Sequence, residues 1–200
     1  MTRIIVFAKA PLAGFAKTRL IPQLGPEGAA KLAHQMLDQT LAGAVEAAIG
    51  TVELCVTPVI SSPAWLGVDI AQGVAISAQG GGDLGARLAR AAQRALEQEE
   101  AVLLIGTDCL EMSAPLLREA ADTLKRKDAV IYPAADGGYA LLGLTRFHAS
   151  LFRDIPWSTD SVAGETIGRI GQAGWSLEVG ALLHDVDEPD DLKRVPVSWL

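Results

Sequence analysis

The chain predicts an α/β fold of three layers, an α/β/α sandwich with a mostly parallel mixed sheet. Three observations predict it. Short apolar runs alternate with amphipathic stretches of helical spacing along the whole sequence, the pattern of parallel strands joined by helical crossovers. The runs at residues 3–8 and 101–105 are apolar almost throughout, as strands covered on both faces are. Asp136-Gly137 lies between two further apolar runs, a turn signal that brings some antiparallel pairing into the second half.

Residues 3–8 are the first strand. Residues 9–20 follow as a loop, stiff at Pro11, free at Gly14 and carrying the cations Lys9, Lys17 and Arg19. Pro26 suits the first turn of a helix in which Ala33, Leu37, Leu41, Ala44 and Ala48 recur at helical spacing until Gly50 ends it. Residues 51–57 are a second strand, 58–72 a loop punctuated by proline and glycine, and 74–77 a short third strand. Gly80-Gly81-Gly82-Asp83 leads into a helix that runs to about Glu99 with Leu84, Leu88, Ala91, Ala92 and Ala95 inward. Residues 101–105 form a central strand ending at Gly106-Thr107-Asp108-Cys109. Ser113 caps the next helix, with Pro115 in its first turn. Residues 129–132 and 138–144 are strands around the turn, a helix covers 162–172, a strand near 176–183 ends in His184-Asp185-Val186-Asp187, and Pro189 opens a short last helix. No linker interrupts the pattern, so residues 1–200 read as a single domain.

Composition narrows the function classes. Half of the 200 residues are hydrophobic and 20% are charged, which supports a packed core. A net charge of -7 argues against sequence-independent binding to nucleic acid or to an anionic membrane. Cys55 and Cys109 read as reduced thiols; with no signal-peptide pattern and no apolar run of about 18 residues, a cytoplasmic location is expected.

In an open α/β sheet, ligands bind beyond the carboxyl ends of the strands, so the loop after the first strand is a candidate phosphate cradle. It is not a P-loop: Pro11 and Ala16 stand at the two glycine positions and only Lys17-Thr18 match. No G-x-G-x-x-G follows a strand either, which removes the support for a nicotinamide enzyme. Asp108, at the end of the central strand, faces the same edge; one or two carboxylates with phosphate and water make a usual Mg²⁺ site. Asp185 and Asp187 are two apart in an extended segment, point the same way, and repel each other unless a cation joins them. Residues 79–85, Gln79 to Gly85, form a permissive loop at a helix start that suits an anion or a base edge; a plain turn with Asp83 as N-cap fits as well. Arg87, Arg90 and Arg94 share one stripe of that helix, usually a solvated face. Asp136, Gly137, Gly138 and Tyr139, with Trp157, can shape an acceptor pocket or make a simple turn. His34, His148 and His184 show no metal spacing and no catalytic companions.

Six stretches, taken in order, resemble a known family: A-K-A-P-L-A-G-F-A-K-T-R-L, Q-G-G-G-D-L-G-A-R-L, I-G-T-D-C, P-A-A-D-G-G-Y-A-L-L-G-L, I-P-W-S-T and D-V-D-E-P-D-D-L. They look like an uncharacterised bacterial family of glycosyltransferase-A (GT-A) fold, in the nucleotide-diphospho-sugar transferase superfamily and related to 2-phospholactate guanylyltransferase. The resemblance implies that fold, with a nucleotide donor over the first strand's end and Mg²⁺ or Mn²⁺ as cofactor. By it, Lys17 and Arg19 match the cations that hold donor phosphates, with Lys9, Gly14 and Thr18 in the same loop. Asp108, Asp185 and Asp187 match the metal ligands, and Gln79, Gly82, Asp83 and Gly85 the segment near the base. Gly106 stands where many glycosyltransferases of this fold carry the first acid of D-x-D. The expected reaction is therefore nucleotidyl transfer from an NTP to a small phosphorylated or carboxylate acceptor, with Lys17, Arg19 and Asp108 catalytic. Glycosyl transfer from a nucleotide sugar is the alternative, and a nucleotide-binding module without activity a third.

Overall fold

The computed structural model describes residues 1–99 and 101–200. Seven strands form one sheet: β1 (Thr2–Lys9), β2 (Val52–Thr57), β3 (Ala75–Ala78), β4 (Ala101–Ile105), β5 (Ala129–Pro133), β6 (Tyr139–Leu144) and β7 (Leu177–Val179). Their order is β3-β2-β1-β4-β6-β5-β7. β1 pairs in parallel with β2 and β4, β2 with β3, and β5 with β7; β6 alone runs antiparallel, between β4 and β5. The other six strands therefore direct their carboxyl ends to one edge, and β6 begins there.

Side chains alternate across the sheet as a period of two requires. Ile4 and Val6 of β1 and Leu103 and Ile105 of β4 join one core with Leu37, Leu41 and Leu117. Ile5, Val102 and Leu104 join the opposite core with Leu88, Ala92 and Ile170. Helices α1 (Ile21–Ala47) and α3 (Ala114–Thr123) thus cover one face, and α2 (Leu84–Leu96) and α4 (Val162–Gln172) the other. This is the expected three-layer architecture.

Some boundaries differ from the sequence pattern. α1 starts at Ile21, and Gly25 breaks it at φ 70 and ψ 167, so Pro26 opens the second, longer piece. Its end is Ala48 in a left-handed conformation, two residues before Gly50. β7 is three residues long, and residues beyond it run on as a connecting segment. The helix expected at Pro189 is a 3-10 turn over Pro189–Arg194, and another 3-10 turn follows at Val197–Trp199. Among the described residues, no helix is long and apolar enough to cross a membrane.

The arginine stripe on α2 is partly exposed, as expected, and also tethered. Arg94 reaches Glu53, which is 2% exposed on β2, and Arg3 meets the same carboxylate at 3.0 Å. Arg90 donates to the carbonyl oxygens of Gln79 and Gly81, and Arg87 to that of Gly82. These side chains hold the loop above α2 in place.

Candidate active site

The connections after β1, β3, β4, β5 and β7 border a cleft at the shared strand edge. The segment after β7 is threaded between the ends of β4 and β5. Leu183 N–H donates to Pro133 O at 2.8 Å, Ala135 N–H to Leu183 O at 2.9 Å, and Val186 N–H to Asp108 O at 2.8 Å. Asp185 bridges to Cys109 in antiparallel fashion. Val186 is fully buried in a small cluster with Leu20, Leu32, Met36 and Val195. Burying a valine this way contributes about 1.5–3 kcal/mol. It pins the segment so that Asp185 and Asp187, on either side of it, turn toward the cleft.

Lys17 is the cation these acids share. Its ammonium donates to Asp108 Oδ1, to Val186 O at 2.6 Å and to Asp187 Oδ1 at 3.1 Å. Its side chain is 4% exposed, whereas those of Asp108 and Asp187 are 47% and 44% exposed. Burial alone would lower the lysine's pKa; the two carboxylates outweigh it and hold the pKa above the usual value. The backbone at Lys17 is left-handed, φ 47 and ψ 46, an uncommon conformation for a side-chain-bearing residue. Such strain persists where surrounding contacts over-determine it, here the three acceptors on the ammonium.

The acids are crowded. Burial first, then the charges of Asp108, Asp136 and Asp187, push the Asp185 carboxyl up to about 7. Burial and the neighbouring Asp108 likewise raise Asp187, against the opposing pull of Lys17 and Arg19. The Cys109 thiol beside them is pushed up to about 11, mainly by burial, so it stays protonated at neutral pH and is no nucleophile.

The rest of the first loop folds around Lys17. Lys9 Nζ donates to Phe15 O at 2.8 Å and closes the loop across Gly14, which needs its φ of 80. Arg19 is exposed at the rim and pairs with Glu188 at 2.9 Å. Thr18 opens a 3-10 turn that leads into α1.

Two cavities flank the acids. The larger, about 520 Å³, is lined by Lys9, Lys17, Arg19, Gln79, Asp108 and Asp187. The smaller, about 250 Å³, is walled by Leu88, Tyr139 and Trp157, with Asp136 and Asp185 also lining it. Phe7, Leu84 and Gly106 line both, so the two form neighbouring lobes with the carboxylates at the seam. Phe7 and Leu84 are not apparent as site residues from sequence, because an apolar residue at a strand end or helix start reads as core.

Residues 79–85 combine a helix-entry turn with a wall of the larger cavity. Gln79 is 6% exposed, and its amide donates to Ala8 O and Cys55 O, both at 3.1 Å, tying β1 to β2. Asp83 caps α2 by accepting from Ala86 N–H at 2.8 Å. Gly82 holds φ 97, and Gly85 lies so close to Phe152 O and Trp157 Nε1 that a side chain would collide. The turn reading describes Gly82, Asp83 and Gly85, while Gln79 and Leu84 of the same stretch line the larger cavity. On the other side, Asp136 accepts from Gly138 N–H at 2.9 Å in a tight turn. Gly137, at φ 91, packs against the Asp160 backbone and accepts from Ala163 N–H at 2.9 Å. Tyr139 and Trp157 meet edge to face, ring centres 6.4 Å apart. His184 pairs with Glu111, not with an acid of the site.

Among the described residues, no three acidic, histidine or cysteine side chains stand ready-made around one metal position. The Lys17 ammonium instead joins Asp108 to Asp187. The donors still fit a hard divalent cation in kind: Asp108, Asp185 and Asp187 offer only oxygen, and three carboxylates against one lysine leave negative charge uncompensated. Such an ion has to displace Lys17 or share its carboxylates.

The bacterial family described as "Uncharacterized protein conserved in bacteria (DUF2064)" matches residues 40–159. No curated protein matches the chain. A provisionally assigned nucleotide-diphospho-sugar transferase from Desulfovibrio desulfuricans G20 is 30% identical with a TM-score of 0.84, over 94% of this chain and 82% of that one. A nucleotidyl transferase from Methanothermobacter is 17% identical with a TM-score of 0.63, over 100% and 97% of the two chains. Rv0371c from Mycobacterium tuberculosis H37Rv, solved in complex with manganese, is 18% identical with a TM-score of 0.58, over 97% of each chain. The seven-stranded sheet with its flanking helices is thus of nucleotide-diphospho-sugar transferase type.

Proposed function

The chain belongs to the DUF2064 family, and from that premise we propose that it is a transferase working on a nucleotide donor, with Mg²⁺ or Mn²⁺, and that the reaction is nucleotidyl transfer. The observation that carries this reading is the acid cluster where the lobes meet: Asp108 and Asp187, joined by Lys17, line the cation-rich lobe, and the neighbouring Asp185 lines the apolar one. The larger lobe suits the triphosphate of a donor, because Lys9, Lys17 and Arg19 border it. The smaller suits the acceptor. Manganese in one fold relative and nucleotidyl transfer by another support the choice.

In this reaction an acceptor oxygen forms a bond to the α-phosphorus of an NTP. The bond from that phosphorus to the bridging oxygen breaks, and the electron pair leaves with pyrophosphate. Asp108, Asp185 and Asp187 would hold the divalent cation, which would supply charge neutralisation at the phosphates. Lys17 and Arg19, which border the larger lobe, would stabilise the charge that develops on the leaving pyrophosphate. The protein contributes positioning and electrostatics, and no histidine or thiolate is needed.

Glycosyl transfer is the second reading, favoured by the Desulfovibrio relative. It uses the same lobes with a nucleotide sugar, and Asp136, which lines the smaller lobe, as a candidate base. Incubation with each NTP and each nucleotide sugar, with Mg²⁺ and a panel of small acceptors, separates the two. Pyrophosphate release that a Lys17→Ala, Arg19→Ala double variant lacks supports nucleotidyl transfer. Release of a nucleoside diphosphate from nucleotide sugars alone supports the second reading.

A further inference from the structure

The smaller lobe is bounded by hydrocarbon. Its walls are Phe7, Leu84, Leu88, Val162 and the rings of Tyr139 and Trp157. Tyr139 and Trp157 are half-buried, and their polar atoms belong to the buried part: the Tyr139 hydroxyl and the Trp157 indole N–H are both inside the protein. What these two residues turn to the lobe is therefore carbon. Leu84, which lines both lobes, is 44% exposed. A lone exposed leucine is ordinary, but one that continues an apolar wall is surface for another molecule to cover.

The charged groups of the lobe belong to its junction with the larger one. Asp136 and Asp185 line it, and the charges of Asp108, Asp136 and Asp187 all act on Asp185. Two hydroxyls also line it, but that of Thr159 already donates to Pro156 O at 2.7 Å, which leaves Ser158. Each hydroxyl of a sugar-like body laid on these walls would lose its water and find almost no partner, which is costly. An apolar body gives up nothing there and removes the walls from water. An apolar cavity of about 150 Å³ holds a benzene ring, so about 250 Å³ has room for a ring and several substituent atoms.

We propose that the smaller lobe seats the apolar body of an acceptor, about the size of one substituted ring, whose single polar reacting group lies at the Asp136 and Asp185 end. This rests on the transferase reading in calling the bound molecule an acceptor, and it narrows that reading to aryl or branched-alkyl alcohols, acids or phosphates, away from polyhydroxylated molecules. An anionic reacting group meets the divalent cation placed on Asp185, and a neutral hydroxyl donates to the carboxylates directly. The body, held by an apolar pocket with few polar groups, sets the specificity.

Probes that share a polar head and differ in body test it: benzyl alcohol against glycerol, and benzyl phosphate against glycerol 3-phosphate. Each is titrated into the full chain with Mg²⁺. Calorimetry reads the affinities, and the indole N–H signal of Trp157 in NMR, identified with Trp157→Phe, locates the site. The benzyl compound of each pair is expected to bind about tenfold or more tightly and to shift the Trp157 signal saturably. Leu84 is exposed enough for Leu84→Ser to fold, and that variant is expected to weaken both benzyl compounds several-fold while leaving glycerol 3-phosphate unchanged. Glycerol binding as well as benzyl alcohol, a Trp157 signal that the benzyl compounds leave unmoved, or a Leu84→Ser variant that binds them as the natural chain does overturns the inference. A parallel titration with each NTP and Mg²⁺ separates the two ideas. Nucleotide binding with no benzyl preference in either pair overturns the pocket chemistry alone. A benzyl preference in the alcohol pair without any nucleotide binding upholds the pocket and overturns the donor reading.

Discussion

Replacing Lys17 with methionine keeps the length of the side chain and removes the one charge that Asp108 and Asp187 share. Three hydrogen bonds go with it, to Asp108, to Val186 O and to Asp187. Breaking a fully buried ion pair costs about 3–5 kcal/mol, but Asp108 and Asp187 are 47% and 44% exposed and rehydrate. A loss of about 1.5–3 kcal/mol, the scale of a hydrogen bond to a charged group, is the better figure. For a chain of this size that lowers the melting temperature by roughly 3–12 °C in metal-free buffer. The same change opens the carboxylates to a divalent cation. Excess Mg²⁺ or Mn²⁺ then stabilises the variant by more than it stabilises the natural chain, by about 2.7 kcal/mol at a hundredfold over Kd. Thermal melts with chelator and with each metal read both effects. A variant as stable as the natural chain without metal, or one that gains no more from metal, refutes the idea that Lys17 is the resident counter-ion of a cation site.

Stability should fall as pH rises from about 4 to 7 in metal-free buffer. Asp185 titrates near 7 when folded and near its ordinary value when unfolded, so the folded chain holds the extra proton in that window. The loss is at most about 4 kcal/mol and is reduced by solvent screening at the cleft; Asp185→Asn flattens the profile measured by melts at successive pH values. Glu53→Gln leaves Arg3 and Arg94 facing a neutral amide and lowers stability by about 3–5 kcal/mol in urea unfolding, with no change in metal binding. Gly137→Ala forces a side chain against the Asp160 backbone at φ 91 and costs about 1–3 kcal/mol by the same assay; an unchanged midpoint would show that this turn yields.

How much of this was legible in sequence depends on range. β4 and α4 match their sequence patterns residue for residue, because burial on both faces and a helical stripe are local signals. The edge where Asp108, Asp185 and Asp187 meet follows from the parallel topology, and Val186 between two aspartates signals an inward turn. The partners of the cations are not legible. Lys17 and Asp108 lie 91 residues apart, and only the folded sheet brings the ammonium to the acids. For the same reason the arginines of α2 read as a solvated stripe until Glu53 and the carbonyl groups of residues 79–82 supply their acceptors. The glycines of residues 80–85 mark a permissive loop, but their sequence does not distinguish room for a ligand from room for Phe152 and Trp157.

The central claim is that the acids at the seam hold a divalent cation against the phosphates of a nucleotide donor. Calorimetric titration of the full chain with NTPs and nucleotide sugars, with Mn²⁺ or with chelator, tests it most directly. The account predicts saturable nucleotide binding that requires the metal and weakens about tenfold or more in Asp108→Asn. Equal affinity with chelator, or an Asp108→Asn variant that binds metal and nucleotide as the natural chain does, would contradict it.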